Sequence, residues 1–332
     1  EFMLKKIHNS GTGLITHCQI CGNTKLMNVI NLGIQPPCDS LLEKKNVKEE
    51  KFPLNFKFCT ECFTGQIDYV VPPKKLFYKK YPYRSGITKT LVDKLFNTSE
   101  MAVKKLKIPK NSLCIDVGSN DGSLLKGFKM FGMKVLGVEP TDISKIANED
   151  GIPTIQRFFN EKEATKILDV YGRAKIITAT NVFAHVPNLY SIIKGIKSLL
   201  TNDGVFISES HYLINLLETL QYDSIYHEHL RYYTLNSLIK LFDFYQMEVF
   251  DVEFIKNYGG SIRVYTGLKG QHKIKKSVKF VIENEKKFFQ DSKNTFSIFK
   301  KKIIKNRNDL NSLLANYLKE KKTIVGIGCP GR

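Results

Sequence analysis

The chain has 332 residues, enough for two or three domains with separate cores, and its 42% hydrophobic share is that of an ordinary globular protein. No apolar run approaches the ~20 residues of a membrane span, and Glu1-Phe2-Met3-Leu4-Lys5-Lys6 has no signal-peptide core, so a cytoplasmic monomer without membrane association is expected. The formal net charge of +19 would suit a nucleic-acid binder, yet the excess is 44 Lys against 7 Arg, and specific readout selects the bidentate fork of Arg. Many Asn and Ile accompany the Lys, so composition drift accounts for the charge and no specific nucleic-acid partner is expected.

Residues 14–75 hold two Cys-x-x-Cys pairs, Cys18/Cys21 and Cys59/Cys62, separated by 37 residues that include Gln35-Pro36-Pro37 and a charged loop from Glu43 to Lys51. Without a secretory signal such pairs read as metal ligands, and four thiolates make a closed tetrahedral zinc site. A redox Cys-x-x-Cys would need no second pair. The intervening stretch exceeds the ~15–20 residues usual for a ribbon, so an elaborated module is expected, strand-poor and turn-rich and held together mainly by its metal. Cys38, Cys114 and Cys329 are scattered and read as small core residues.

Residues 76–270 begin with an aromatic stretch ending Tyr81-Pro82-Tyr83-Arg84-Ser85-Gly86, whose phenols either pack between domains or face a ligand. A helical pattern follows from about Thr88 to Lys107. Strands are then predicted at 113–117, 134–138, 175–179, 204–209, 248–254 and 261–265 with helical patterns between them, which makes a doubly wound α/β domain. Residues 271–322 carry apolar side chains at spacings of three and four on a lysine-rich background, predicting one long amphipathic helix or a helical pair that acts as a connector. At 323–332 a new strand and turn begin, Gly326-x-Gly328-x-x-Gly331, and the sequence stops.

Two motifs carry chemistry. The strand end Asp116-x-Gly118-x-Asn120-x-Gly122 places small residues where a backbone approaches a cofactor, but its spacing is not the Gly-x-Gly-x-x-Gly of a pyrophosphate site, and Asp121 would repel a phosphate. S-adenosylmethionine fits better, because its sulfonium and ammonium tolerate carboxylates, and Glu139 can take both ribose hydroxyls. The second motif is Tyr226-His227-Glu228-His229, four proton-handling side chains in a row, as readily a solvated turn as a site. On a regular strand Tyr226 and Glu228 would face away from His227 and His229, so a convergent site requires an irregular loop. The zincin spacing His-Glu-x-x-His is not met there, which argues against a second metal.

Cys18-x-x-Cys21, Gln35-Pro36-Pro37, Cys59-x-x-Cys62, Tyr83-Arg84-Ser85-Gly86, Gly118-Ser119-Asn120-Asp121-Gly122, Glu139-Pro140, Asn181-Val182-Phe183-Ala184-His185, Glu209-Ser210-His211-Tyr212, Tyr226-His227-Glu228-His229-Leu230 and Gly259-Gly260-Ser261-Ile262-Arg263 occur in that order. In this register the chain resembles the zinc-containing class I methyltransferases that act as nucleotide-sugar C-methyltransferases. The resemblance implies a zinc module, a central Rossmann-like methyltransferase domain and a C-terminal Rossmann-like domain. It also implies transfer of a methyl group to C3 of a dTDP-linked 4-keto-deoxysugar through a base-generated enolate.

By the same resemblance the cofactor residues are Asp116, Gly118, Asn120, Gly122, Glu139 and Asn181, with Asn120 standing where the family has a middle glycine. His229 is the base, Tyr226 and Glu228 are substrate-side partners, and His185 and one of Tyr81 or Tyr83 complete the sugar pocket, with His227 as scaffold. The short run 323–332 would be the start of a truncated C-terminal domain. An inactive truncated homologue, sugar O-methylation and a zinc-ribbon RNA-binding protein are the competing readings, the last marked by steep salt dependence of RNA binding.

Overall fold

The computed structural model describes residues 1–38, 48–77, 84–256 and 259–326. The N-terminal part runs α1 (Phe2–His8), β1 (Gly13–Leu14), β2 (Leu26–Gln35), β3 (Phe52–Cys59), β4 (Gly65–Ile67), β5 (Tyr69–Val70) and α2 (Pro73–Leu76). β2, β3 and β4 form an antiparallel sheet, and β1 pairs with β5. The expectation of a strand-poor module is therefore corrected. Phe52, Leu54, Phe56 and Phe58 are all buried while Pro53, Asn55 and Lys57 between them are not, the period-two alternation of a strand with one buried face. In the sequence that alternation lies between cysteine and charged-loop signals that read as turns.

The central part continues with α3 (Lys89–Leu106), β6 (Leu113–Val117), α4 (Ser123–Met130), β7 (Lys134–Val138), α5 (Ile143–Glu149), β8 (Thr154–Ile155), α6 (Glu161–Tyr171), β9 (Ala174–Thr180), α7 (Leu189–Leu199), β10 (Leu200–His211), α8 (Leu213–Glu218), β11 (Arg231–Tyr232), α9 (Leu235–Asp243), β12 (Met247–Ile255) and β13 (Ser261–Leu268). Seven strands make one sheet in the order β12-β13-β10-β9-β6-β7-β8, parallel from β10 to β8, with β13 antiparallel to both its neighbours. β6 is buried along its whole length, as a strand covered by helices on both faces must be. Strand order reverses between β6 and β9, and the crevice beyond their carboxyl ends is where such sheets bind ligands.

β11 does not join this sheet. It pairs with β4, Arg231 opposite Gln66 and Tyr232 opposite Gly65, and so becomes the fourth strand of the N-terminal sheet. The two parts are thereby stitched at the residues that directly follow His229. The C-terminal residues form the helical pair α10 (Lys276–Phe288) and α11 (Ser292–Lys319). The pair lies against the N-terminal sheet, with Phe58 4.8 Å from Phe289 and 4.7 Å from Phe296 between ring centroids. Among the described residues no helix is long and apolar enough to cross a membrane.

Candidate active site

Two left-handed residues shape the turn after β6. Gly118 has φ +72° and Asn120 φ +51°. A Cβ on Gly118 would collide with the Val182 side chain, so glycine is required there. Asparagine tolerates the left-handed conformation at the second position, and its Oδ1 accepts a hydrogen bond from the Ser85 N–H at 2.8 Å. Asp121 turns away from the crevice. Its carboxylate is buried, accepts from Arg84 Nε at 3.0 Å and from the Gly86 N–H at 2.7 Å, and pins the Arg84-Ser85-Gly86 segment over the loop. Gly122, at φ +75°, sits at the start of α4 against Ile152.

Asp116 is the penultimate residue of β6 and is buried, taking a 2.6 Å hydrogen bond from Thr178 Oγ1. Glu139 directly follows β7, accepts from the Asn120 N–H at 3.1 Å and is held on its other oxygen by Thr141 at 2.9 and 2.7 Å. Both carboxylates open on a cavity of about 840 Å³ that Gly118, Asn120 and Asn181 also line. Ser119 Oγ and Asn181 Oδ1, residues of the same lining, are buried without a hydrogen-bond partner in the protein, an arrangement that costs free energy unless a ligand completes it. These residues fit S-adenosylmethionine: two carboxylates for a cationic ligand and polar atoms awaiting partners.

Burial pushes the Asp116 carboxyl up to about 7; the Thr178 hydroxyl opposes the rise and the negative charge of Glu139 adds to it. The folded-state value lies above the ~3.9 of an exposed aspartate, so its stabilising effect is full in acid and is lost as pH climbs from about 4 through about 7. A cationic cofactor favours the carboxylate. Affinity for S-adenosylmethionine is therefore expected to increase from about pH 6 to about pH 8, and Asp116→Asn to flatten that dependence, as read by calorimetric titration across pH.

The second half of the cavity is built by loops. His229 N–H donates to the Tyr226 carbonyl at 3.1 Å, closing residues 226–229 into a tight turn. Tyr226 and His229 thereby come together on one side, ring centroids 4.3 Å apart, which an extended strand would not allow. His229 Nδ1 lies 3.1 Å from the Ser224 carbonyl, which can only accept, so Nδ1 carries the proton and Nε2 is left to accept the Tyr226 hydroxyl at 3.1 Å. His185 Nδ1 donates likewise to the Glu228 carbonyl at 2.8 Å, and the Leu230 N–H donates to the Ala184 carbonyl at 3.0 Å, joining the two histidine loops.

His185, Tyr226, Glu228 and His229 all line the cavity. His227 points the other way, fully buried with Nε2 near the Phe52 and Pro53 carbonyls at 3.3 and 3.2 Å, and burial holds its imidazole below the usual histidine range. Tyr81 and Tyr83 lie outside the described residues, as do Cys329 and the Gly328 and Gly331 turn. Cys114 is buried, whereas Cys38, expected in a core, is half-buried and lines the cavity directly after Gln35-Pro36-Pro37. His211, at the end of β10, is a cavity residue that single-motif reasoning left unassigned. Its ring stands 5.0 Å from His229, just as His185 stands 4.8 Å away. It is held at the strand end by antiparallel pairing with Ser261 of β13.

The four cysteines of the paired motifs converge, with sulfurs all within 4.8 Å of one another and 3.5 Å apart for Cys18–Cys62 and Cys21–Cys59. Zinc with ~2.3 Å bonds to four sulfurs requires separations of about 3.8 Å, so the set fits the metal. The two knuckles repeat one design. After each pair the next residue is left-handed, Gly22 at φ +79° and Phe63 at φ +60°, and its N–H donates to the first cysteine's carbonyl, Cys18 or Cys59, at 2.9 Å.

A cavity at the sheet's switch point, carboxylates at the ends of β6 and β7, and a four-thiolate module stitched to the far wall define a class I methyltransferase with a zinc domain. Residues 18–77 match a family described as a zinc binding domain, residues 90–252 a methyltransferase domain, and residues 256–332 a C-methyltransferase C-terminal domain. The C-methyltransferase NovU of Streptomyces niveus is 28% identical over 320 residues, spanning 95% of this chain and 76% of NovU. The three matched domains in succession, with the similarity to NovU, are those of a C-methyltransferase that uses S-adenosylmethionine.

Among solved structures, magnesium protoporphyrin IX methyltransferase (ChlM) from Synechocystis PCC 6803 with bound SAH overlaps 56% of this chain and 90% of its own, at TM-score 0.43 and 12% identity. An S-adenosylmethionine-dependent methyltransferase from Clostridium acetobutylicum ATCC 824 overlaps 54% and 92%, at TM-score 0.43 and 14% identity.

Proposed function

We propose that the enzyme methylates C3 of a nucleotide-linked 4-keto-deoxysugar, dTDP being the carrier, through an enolate. The reading is carried by one observation: His229, with a defined basic nitrogen, shares a single cavity with the cofactor cradle. At about 840 Å³ that cavity is within the range of small-molecule sites. S-adenosylmethionine supplies an electrophilic methyl group on sulfur. His229 Nε2 takes the proton from the carbon α to the ketone, and the electron pair of that C–H bond passes into the enolate. The enolate carbon then forms the new C–C bond as the methyl–sulfur bond breaks.

Tyr226 presents its phenol to the same nitrogen and turns to the sugar when substrate enters. Glu228 and His185 bind the sugar's polar groups from opposite loops, and His227 holds the turn to β3. A proton abstracted at carbon separates this reading from O-methylation. Candidate dTDP-4-keto sugars incubated in deuterated water without cofactor should exchange at C3, and methyl-labelled cofactor should then deliver label to that carbon. Absence of exchange with methylation at oxygen would overturn it. Tyr226→Phe is expected to slow transfer by about 10-fold, less than loss of the base costs. A loss equal to that of His229→Ala in single-turnover assays would make the phenol the proton acceptor instead.

A further inference from the structure

Arg231 is among the largest fully buried side chains, yet among the described residues it takes part in no ion pair. It spends its fork on neutral acceptors from three separate segments. Nη1 donates to Gln19 Oε1 at 2.7 Å, Nε to the Tyr233 hydroxyl at 3.0 Å, and Nη2 to the Phe183 carbonyl at 3.4 Å and to the Val186 carbonyl. Phe183 and Val186 bracket His185. Arg231 itself is two residues past His229 and lines the cavity. Tyr233 passes the grip on, donating to the Phe183 carbonyl at 3.0 Å.

Gln19 is the other half of the device. It sits inside the first zinc knuckle, between Cys18 and Cys21, and is completely buried. Its backbone N–H donates to Gln66 Oε1 at 2.9 Å, its Oε1 also accepts from the Ser10 hydroxyl at 2.9 Å, and its Nε2 reaches the Ile67 and Leu230 carbonyls only at 3.4 Å, so the contact to Arg231 is the short one its side chain makes to the catalytic loops. A planar guanidinium with fixed donors is suited to set relative positions, and a small displacement of a catalytic group costs rate steeply.

We propose that Arg231 is a positioning residue for methyl transfer: gripped by Gln19 from inside the zinc knuckle, it sets where His185 and His229 stand, and the metal acts on the chemistry through this contact. The inference rests on His229 being the base. The test uses the zinc-loaded enzyme with Gln19→Leu, which keeps all four thiolates and the side chain's bulk but offers Arg231 no acceptor.

Zinc content and S-adenosylmethionine binding are expected to stay as in the wild type while kcat falls by about 10- to 100-fold, the usual cost of removing an outer-shell partner, with the sugar KM nearly constant. In the absence of substrate the imidazole NMR signals of His185 and His229 should shift and that of His272, stacked on Phe250 away from the site, should not. Gln19→Glu, which restores an acceptor to Arg231 but removes the donors to Ile67 and Leu230, should recover most of the lost kcat. An unchanged kcat, a loss that tracks lost zinc, unmoved histidine signals, or no recovery with glutamate would each overturn the proposal. A wrong sugar or a wrong base would show separately, as a wild-type enzyme that transfers nothing or as His229→Ala with full turnover, and would leave the NMR shifts in place.

Discussion

His229→Ala is expected to lower methyl transfer by about 10²- to 10⁴-fold, the range that a positioned general base contributes, while leaving S-adenosylmethionine binding intact. The separation follows from where the groups sit. The cofactor cradle is made by β6, β7 and the turn after β9, whereas His229 is held by the 226–229 turn and the Ser224 carbonyl. Two other imidazoles, His185 and His211, stand with ring centroids 4.8 and 5.0 Å from His229. His185 also donates Nδ1–H to a carbonyl and so keeps a basic Nε2; what sets His229 apart is the Tyr226 hydroxyl on its Nε2. Single-turnover transfer of labelled methyl, with C3 proton exchange in deuterated water, measures the two steps. Full turnover of the variant with normal exchange would show that another group takes the proton.

Cys59→Ser is expected to release the metal and to abolish transfer, with a far smaller effect on cofactor affinity. A structural zinc site contributes roughly 10–16 kcal/mol in isolated zinc peptides, so the two knuckles and the strand ends they tie together are not expected to survive its loss. Collapse of β3 and β4 removes the pairing partner of β11, and with it the Ile67 N–H to Leu230 carbonyl bond at 3.1 Å that fixes the chain just after His229. The cradle at Asp116 and Glu139 draws on the other sheet and its helices. Metal analysis together with calorimetric titration of S-adenosylmethionine decides the matter. Cofactor binding lost in proportion to zinc would mean that the two sheets fold as one unit.

Much of this architecture was legible along the chain. The strands at 113–117 and 134–138 appear at the predicted limits, because parallel strands buried on both faces read as short apolar runs ending in glycine or acid. The amphipathic stretch after 271 resolves into the helical pair α10 and α11. Harder to see were β2, whose burial does not alternate, β3, where Pro53 argues against a strand although it sits on the outward face, and the two-residue β8 and β11, too short to carry any periodic signal. Cys38 has no local signature, and His211, though part of Glu209-Ser210-His211-Tyr212, has none that assigns it a role, since each becomes a cavity residue through where distant segments pack.

Residue type and spacing by themselves determined the chemistry available: four thiolates in two knuckles for zinc, small residues and paired carboxylates for a cationic cofactor, imidazoles and phenols for proton transfer. Those are local properties, set by side-chain chemistry and by backbone positions that only glycine or asparagine accepts. What the tertiary structure alone decided is which of them act together. The turn at 226–229 turns Tyr226 and His229 to one side and His227 to the other, and β11 fastens that turn to the zinc module through the backbone of residues more than a hundred positions away in sequence. A hydrogen bond between such distant residues forms only once the intervening chain has packed, so no pattern along the sequence encodes it.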